Sequence, residues 1–305
     1  MKYAEIIYEA WDLTTENTKL KWFVFVPSFV AVLVFVLEIS WQLYLYLGEF
    51  GLIESEFSFE GIGALFHFLL DKNLLGWAIF GVIFILFFAF VVPSWVLGGL
   101  ILGVKQKLYT PEKYLSLRQK MIEGVEYFFS LFEFSAVSGI FSLWSIAIFL
   151  ATFYRYFHDT FFRLLWPVLL VYTIIAFFIT VFMSFAPYFI VCEKKTLSTA
   201  IKKSVSIVFL NFGKTMSIIL LMFLVNFRIL INVVIILGVP LGVLLAMTYF
   251  ANSVATVLSV LVGIALLGFA AYLTAIVEVF STAVWTRTFF EMREQQKKLE
   301  DESIN

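Results

Sequence analysis

Six long apolar runs decide what this chain can fold into. They cover residues 22–47, 74–104, 134–153, 164–191 and 216–238, with a last one within 254–285. A helix needs about 20 mostly apolar residues to cross the hydrocarbon of a bilayer, and each run supplies them. The runs are continuous. Membrane β-barrel strands of about ten residues would alternate polar and apolar side chains instead. Helices satisfy their own backbone N–H groups, which lipid demands. Composition excludes the other classes. Of 305 residues, 62% are hydrophobic and 14% charged, and the mean hydropathy is +0.98. Average soluble domains carry about 25% charged residues, and no water-soluble globule hides this much apolar surface. A disordered chain does not carry it either. The expected fold class is therefore all-α: one polytopic membrane domain of six transmembrane helices, with interfacial amphipathic helices on the cytoplasmic side.

Charge sets the expected orientation. Seventeen Lys and Arg fall in the N-terminal segment, the second-to-third and fourth-to-fifth connections and the charged tail 286–305. Only Lys72, Arg155 and Arg163 fall in the alternate loops, and the first of these is crowded with Glu49, Glu54, Glu56, Glu60 and Asp71. Cationic loops stay inside, so both termini are expected in the cytoplasm of a multi-pass cell-membrane protein. The first run follows Glu5, Glu9, Asp12 and Glu16 rather than a short basic lead, so it reads as a span and not a signal peptide. A net charge of −1 points to no nucleic-acid partner. The expected partners are membrane lipids and a membrane or cytoplasmic protein.

Three cytoplasmic segments, residues 3–20, 112–130 and 197–212, read as amphipathic helices that each lead into an odd-numbered span. Tyr3, Ile6, Ile7, Ala10 and Trp11 share one face, as do Leu117, Met121, Ile122, Val125 and Phe128. Leu197, Ala200, Ile201, Ser204, Val205 and Val208 form the third face. Ser116 and Gln119 match a capping box. Lys194, Lys195, Lys202 and Lys203 fringe the third helix and are the lipid-headgroup candidates, at about 1 kcal/mol per charge near an anionic surface. The plainer alternative is that such segments only anchor helix ends. Pro240–Phe250 is apolar but too short to cross alone, and reads as re-entrant, interfacial or part of the sixth span.

The stretch Phe185-Ala186-Pro187-Tyr188-Phe189-Ile190-Val191-Cys192-Glu193 ends the fourth span. Thr196 to Ser204 follows, with Ala200-Ile201-Lys202-Lys203-Ser204 inside it, and then Asn211-Phe212-Gly213-Lys214. This grammar resembles the prokaryotic membrane-domain family found beside glycerophosphodiester phosphodiesterases, which includes uncharacterised stand-alone six-span relatives. Trp11-Asp12-Leu13 and Asn17-Thr18-Lys19-Leu20 resemble its entry helix. The resemblance covers about 55 residues around 185–240. It implies a six-span fold and brings no catalytic residue, because the phosphodiesterase chemistry of such fusions belongs to a separate soluble domain.

Charges inside spans are costly, roughly 2.5–3.5 kcal/mol at a helix centre, and are functional candidates by default. Arg228 sits mid-run in the fifth span. Glu38 lies about 24 Å up the first, at 1.5 Å per residue. The two are expected at compatible depths, with Asn232 on the Arg228 face. Lys214 and Glu278 form a second candidate pair near the inner surface. Each pair reads either as a polar site for an ion or solute or as a structural ion pair. Gly98, Gly99 and Gly103 predict close helix packing. His67 with Asp71, His158, and Cys192 supply too few ligands for zinc. No nucleophile, P-loop or zincin motif is present. The expectation is a non-enzymatic membrane-embedded partner or organiser with no cofactor and no metal. A transporter or channel using Glu38 and Arg228 is the alternative.

Overall fold

In the computed structural model, residues 3–49, 74–110, 116–225, 227 and 253–304 are described. Arg228, Asn232, His67 and Pro240–Phe250 lie outside them. Every regular element among the described residues is helical: α1 (Tyr3–Glu16), α2 (Thr18–Glu49), α3 (Leu75–Leu86), a π turn (Phe87–Val91), α4 (Val92–Tyr109), α5 (Leu117–Glu126), α6 (Phe128–Ile140), α7 (Leu143–Met183), α8 (Ala186–Glu193), α9 (Leu197–Leu210), α10 (Phe212–Val225) and α11 (Ser253–Ile304). Thr18–Ile39, Phe87–Tyr109, Arg163–Glu193 and Leu261–Gln296 are each long and apolar enough to cross a membrane. Two bent pairs, Phe128–Ile140 with Ser145–Tyr154 and Leu197–Leu210 with Phe212–Val225, raise the number to six if each pair is one span.

The chain forms two compact units. One comprises Met1–Phe23, Ser94–Ile231 and Val277–Asn305; the other comprises Val24–Pro93 and Asn232–Ile276. In the second unit the π turn ends two residues before Pro93. Proline lacks an N–H and clashes with the carbonyl four residues back; a wider turn relieves both. Phe80, Phe84 and Phe88 follow one another along this segment as tilted ring pairs, with centroids 6.1 and 4.5 Å apart. Phe25, Phe29, Leu33, Phe84 and Phe88 line a wholly apolar cleft.

Although α7 is helical over 41 residues, it cannot be straight. A straight helix would place Leu143 and Tyr172 about 44 Å apart. Yet the Tyr172 hydroxyl donates to the Ile140 carbonyl at 3.0 Å, and the Thr180 hydroxyl donates to that of Phe141 at 3.2 Å. The chain therefore turns back on itself between Leu143 and Tyr172. The connection that the sequence reading places between the third and fourth apolar runs falls within that interval.

The first unit repeats one local device three times: a short helix, a one-residue corner and a following helix. The corners are Asn17, Tyr127 and Asn211. The Asn17 and Asn211 side chains each donate to the carbonyl four residues earlier, Leu13 and Ile207, at 2.7 and 3.3 Å. The third corner turns the chain by 98°. Beside the second and third corners lies a core built from Leu131, Phe185, Phe189, Ile190, Ile207 and Phe289. Phe289 meets Phe189 edge-on at 4.9 Å. The residues read as a charged tail are thus partly core: α11 runs on to Ile304, and Phe289 and Met292 are buried.

Candidate functional site

Where α7 joins α8, the local chemistry is dictated by a helix break. Ser184 and Phe185 leave the helix before Pro187, which can only sit near a helix start. The break leaves backbone groups without helical partners. The buried Ser204 hydroxyl supplies them: it donates to the Phe182 carbonyl at 2.6 Å and accepts from the Phe185 N–H at 3.1 Å. At the other end of α8, Lys194 adopts a left-handed conformation, φ 53°, and the Lys195 N–H returns to the Phe189 carbonyl at 3.3 Å. This closure satisfies a C-terminal carbonyl and turns the chain into α9.

Charge is gathered beside this turn. Glu193 accepts from Lys203 Nζ and from Arg293 Nε, both at 2.7 Å. All three side chains are largely shielded, between 18 and 33% exposed. Lys203 also stands 5.6 Å over the Phe189 ring. Lys105 Nζ donates to the Cys192 carbonyl at 3.4 Å. On the neighbouring surface, Lys194 Nζ lies 3.0 Å from Glu126, an exposed pair that raises the lysine's affinity for its proton.

The contact between α4 and α5 is made by glycines. A Cβ on Gly124 would come within 3.0 Å of the Gly99 nitrogen and the Trp95 carbonyl. One on Gly99 would come within 2.9 Å of the Lys120 carbonyl. Trp95 Nε1 donates to the Met121 carbonyl at 2.8 Å and ties the two helices together. This close approach sets which face of α5 points inward. Lys120, Gly124 and Tyr127 are buried, whereas Ile122 and Val125 are 61 and 53% exposed. Burial, and secondarily Lys19, lowers the Lys120 ammonium to about 8. The capping box is present: Ser116 N–H donates to Gln119 Oε1 at 3.0 Å, and Gln119 N–H donates to Ser116 Oγ at 3.4 Å.

A third group of charges lines a cleft between α1, the end of α4 and α11. Arg287 Nε is 2.9 Å from Glu9 Oε2, an ion-pair distance without the alignment of a hydrogen bond. A second Arg287 nitrogen donates to the Tyr109 hydroxyl at 3.1 Å. Lys107 lies 3.7 Å from Glu16.

Against these positions the sequence expectations divide. Two of the four headgroup candidates, Lys194 and Lys203, are held by carboxylates. Lys202 is exposed and Lys195 partly so. Lys214 does not meet Glu278. Its ammonium donates to Gln295, which lies 17 residues, about 25 Å, further along the same helix. The sequence misjudged depth there because it gave the last helix no inward extension. Glu38 is partly buried on α2 in the second unit, and its expected partners Arg228 and Asn232 are not among the described residues. No group of three or more potential metal ligands occurs among the described residues. Sequence reasoning missed Ser204, Glu193 and Arg293 as bonding partners, although Ser204 and Glu193 lie inside the quoted motif. Compared with protein-family models, curated proteins and solved structures, the chain has no match.

Proposed function

We propose that this chain is a non-enzymatic, multi-pass protein of the cell membrane with both termini in the cytoplasm. On this reading α1, α5 and α9 lie along the inner headgroup layer and organise lipid headgroups or dock a membrane or cytoplasmic protein. The observation that carries it is the polarity of α5. This helix turns Met121, Ile122 and Val125 outward and Lys120 inward. In water that arrangement is inside out. With lipid as the surroundings it is favourable, because the apolar face then has an apolar solvent. Depth agrees. The α5 contacts on α4, Gly99 and Gly103, lie ten and six residues before Tyr109, about 15 and 9 Å short of the end of that candidate span.

The right-angled corner at Asn211 supports the same placement, since a helix lying flat before a crossing one turns by such an angle. Exposed Lys202 stands beside exposed Val205 and Phe209 on the flat arm. Lysine stems lie along apolar surface while the ammonium reaches water or phosphate. Kinship with the phosphodiesterase-associated membrane domains belongs to this proposal. Its support is that the motif residues Glu193, Lys203 and Ser204 bond to one another or to the break they flank.

A nitroxide at Ile122→Cys, in a Cys192→Ser background reconstituted into vesicles, tests the placement. Dissolved oxygen should relax it faster than a water-soluble nickel chelate does; the reverse order would refute the placement. Lys202→Gln should weaken retention of anionic lipid about fivefold, near 1 kcal/mol. Lys194→Gln and Lys203→Gln should change it less, because their charges already face carboxylates.

A further inference from the structure

We infer that the cleft formed by Glu9, Asp12 and Glu16 of α1 with Lys107, Tyr109 and Arg287 binds a dipolar headgroup carrying a primary ammonium and a phosphate. The chemistry is that of phosphoethanolamine, either on a lipid or free. The inference deepens the proposed function and rests on it for the depth of the site.

The cleft holds about 290 Å³, at the small end of ligand sites. Its charges are of both signs but do not balance: three carboxylates face two cations. Two carboxylates are engaged, Glu9 by Arg287 and Glu16 by Lys107. Asp12 lies one turn from each on the same helix and is exposed. Among the lining residues the surplus is therefore one negative charge, carried by an acceptor-only group. An ammonium with three N–H donors matches Asp12 and the loosely held Glu16, whose lysine is 3.7 Å away. A trimethylated ammonium has no donors to offer them.

The opposite wall fits phosphate. Lys107 has three donors and a contact too long to consume one fully. Arg287 has five N–H donors and spends one on Tyr109. Tyr109 ends a candidate span, which puts the cleft at the depth where headgroups reside. Trp11, half exposed one residue before Asp12, packs edge-on against Phe280 at 5.9 Å. An amphipathic ring there suits the membrane boundary.

The test uses the full chain, purified in detergent and stripped of lipid. Retention of phosphatidylethanolamine, phosphatidylcholine and phosphatidylglycerol is read by native mass spectrometry. Binding of free phosphoethanolamine is read by calorimetry. Phosphatidylethanolamine should be held about tenfold more tightly than phosphatidylcholine. Asp12→Asn with Glu16→Gln should erase that ratio without weakening retention of phosphatidylglycerol; both side chains are exposed, so the fold should survive. Lys107→Gln should weaken all three lipids together. Equal retention of the ethanolamine and choline lipids, or a ratio untouched by the carboxylate variants, overturns the inference. If free phosphoethanolamine binds and its lipid does not, the cleft chemistry stands and the headgroup depth of the proposed function falls.

Discussion

Ser204 does for the α7–α8 break what no backbone group can do. Its hydroxyl is the partner of both the Phe182 carbonyl and the Phe185 N–H, in a fully buried position. Ser204→Ala leaves both groups unpaired in an apolar core, at about 1–3 kcal/mol. Its midpoint of thermal unfolding in detergent should fall clearly below that of Lys194→Ala, which deletes only an exposed, solvent-screened ion pair. Equal midpoints would assign Ser204 no bridging role. Lys120 gives a pH signature. Its folded-state value is about 8, below the ordinary 10.5. Between those two values the unfolded chain holds more protons than the folded one, so stability rises with pH across that window; below about 8 both states are protonated and the lysine adds no pH dependence. The unfolding midpoint should therefore climb more between pH 8 and 10 for the wild type than for Lys120→Met.

At the scale of elements, α5 is defined by what its glycine permits. Gly124 approaches Gly99 and the Trp95 carbonyl so closely that any Cβ would strike backbone, which cannot swing away. Gly124→Val should force α5 off α4, at about 1–3 kcal/mol for overpacking, and lose the Trp95 bond to Met121. Gly81 has open space where its Cβ would stand. Gly81→Ala should keep or raise the unfolding midpoint, since alanine is the better helix former by about 1 kcal/mol. A similar loss from both variants would contradict the close contact. Here the limits of sequence reading become physical. The Gly98–Gly99–Gly103 stripe and the Ser116–Gln119 cap are legible because small-residue spacing and capping are local chemistry. Gly124 as the opposing surface is not, because periodicity identifies a face and not what meets it. The same holds for Lys194 and Lys203. Their carboxylates lie 68 and 10 positions away and were brought to them by folding. The sequence reads helix α5 as two-faced, but which face is inside depends on the solvent and on the glycine contact.

For the whole molecule, the strongest inference joins the hairpin in α7 to the distribution of charge. The apolar runs 134–153 and 164–191 were legible as two segments, and the Tyr172 and Thr180 bonds to Ile140 and Phe141 lay them side by side. Each arm carries enough apolar residues to cross, and an antiparallel pair must expose its reversal on one side of the bilayer. Cations gather near the other ends of both arms: Lys120 and Arg118 before α6, Lys194 and Lys195 after α8. On the proposed orientation, the positive-inside bias puts that reversal outside, opposite both termini. A cysteine at Asp159, in a Cys192→Ser background, should react with a membrane-impermeant maleimide in intact cells. Cysteines at Glu5 and Ser303 should react only after lysis. A further cysteine at Glu54, in the acidic first connection, should behave like that at Asp159. Protection of Asp159 in intact cells with reaction after lysis would mean that this hairpin enters from the cytoplasm without crossing. The span count would then drop by two while the termini stayed on one side. Glu54 and Ser303 reporting the same compartment would instead overturn the threading itself, and with it the headgroup-layer placement of α1, α5 and α9.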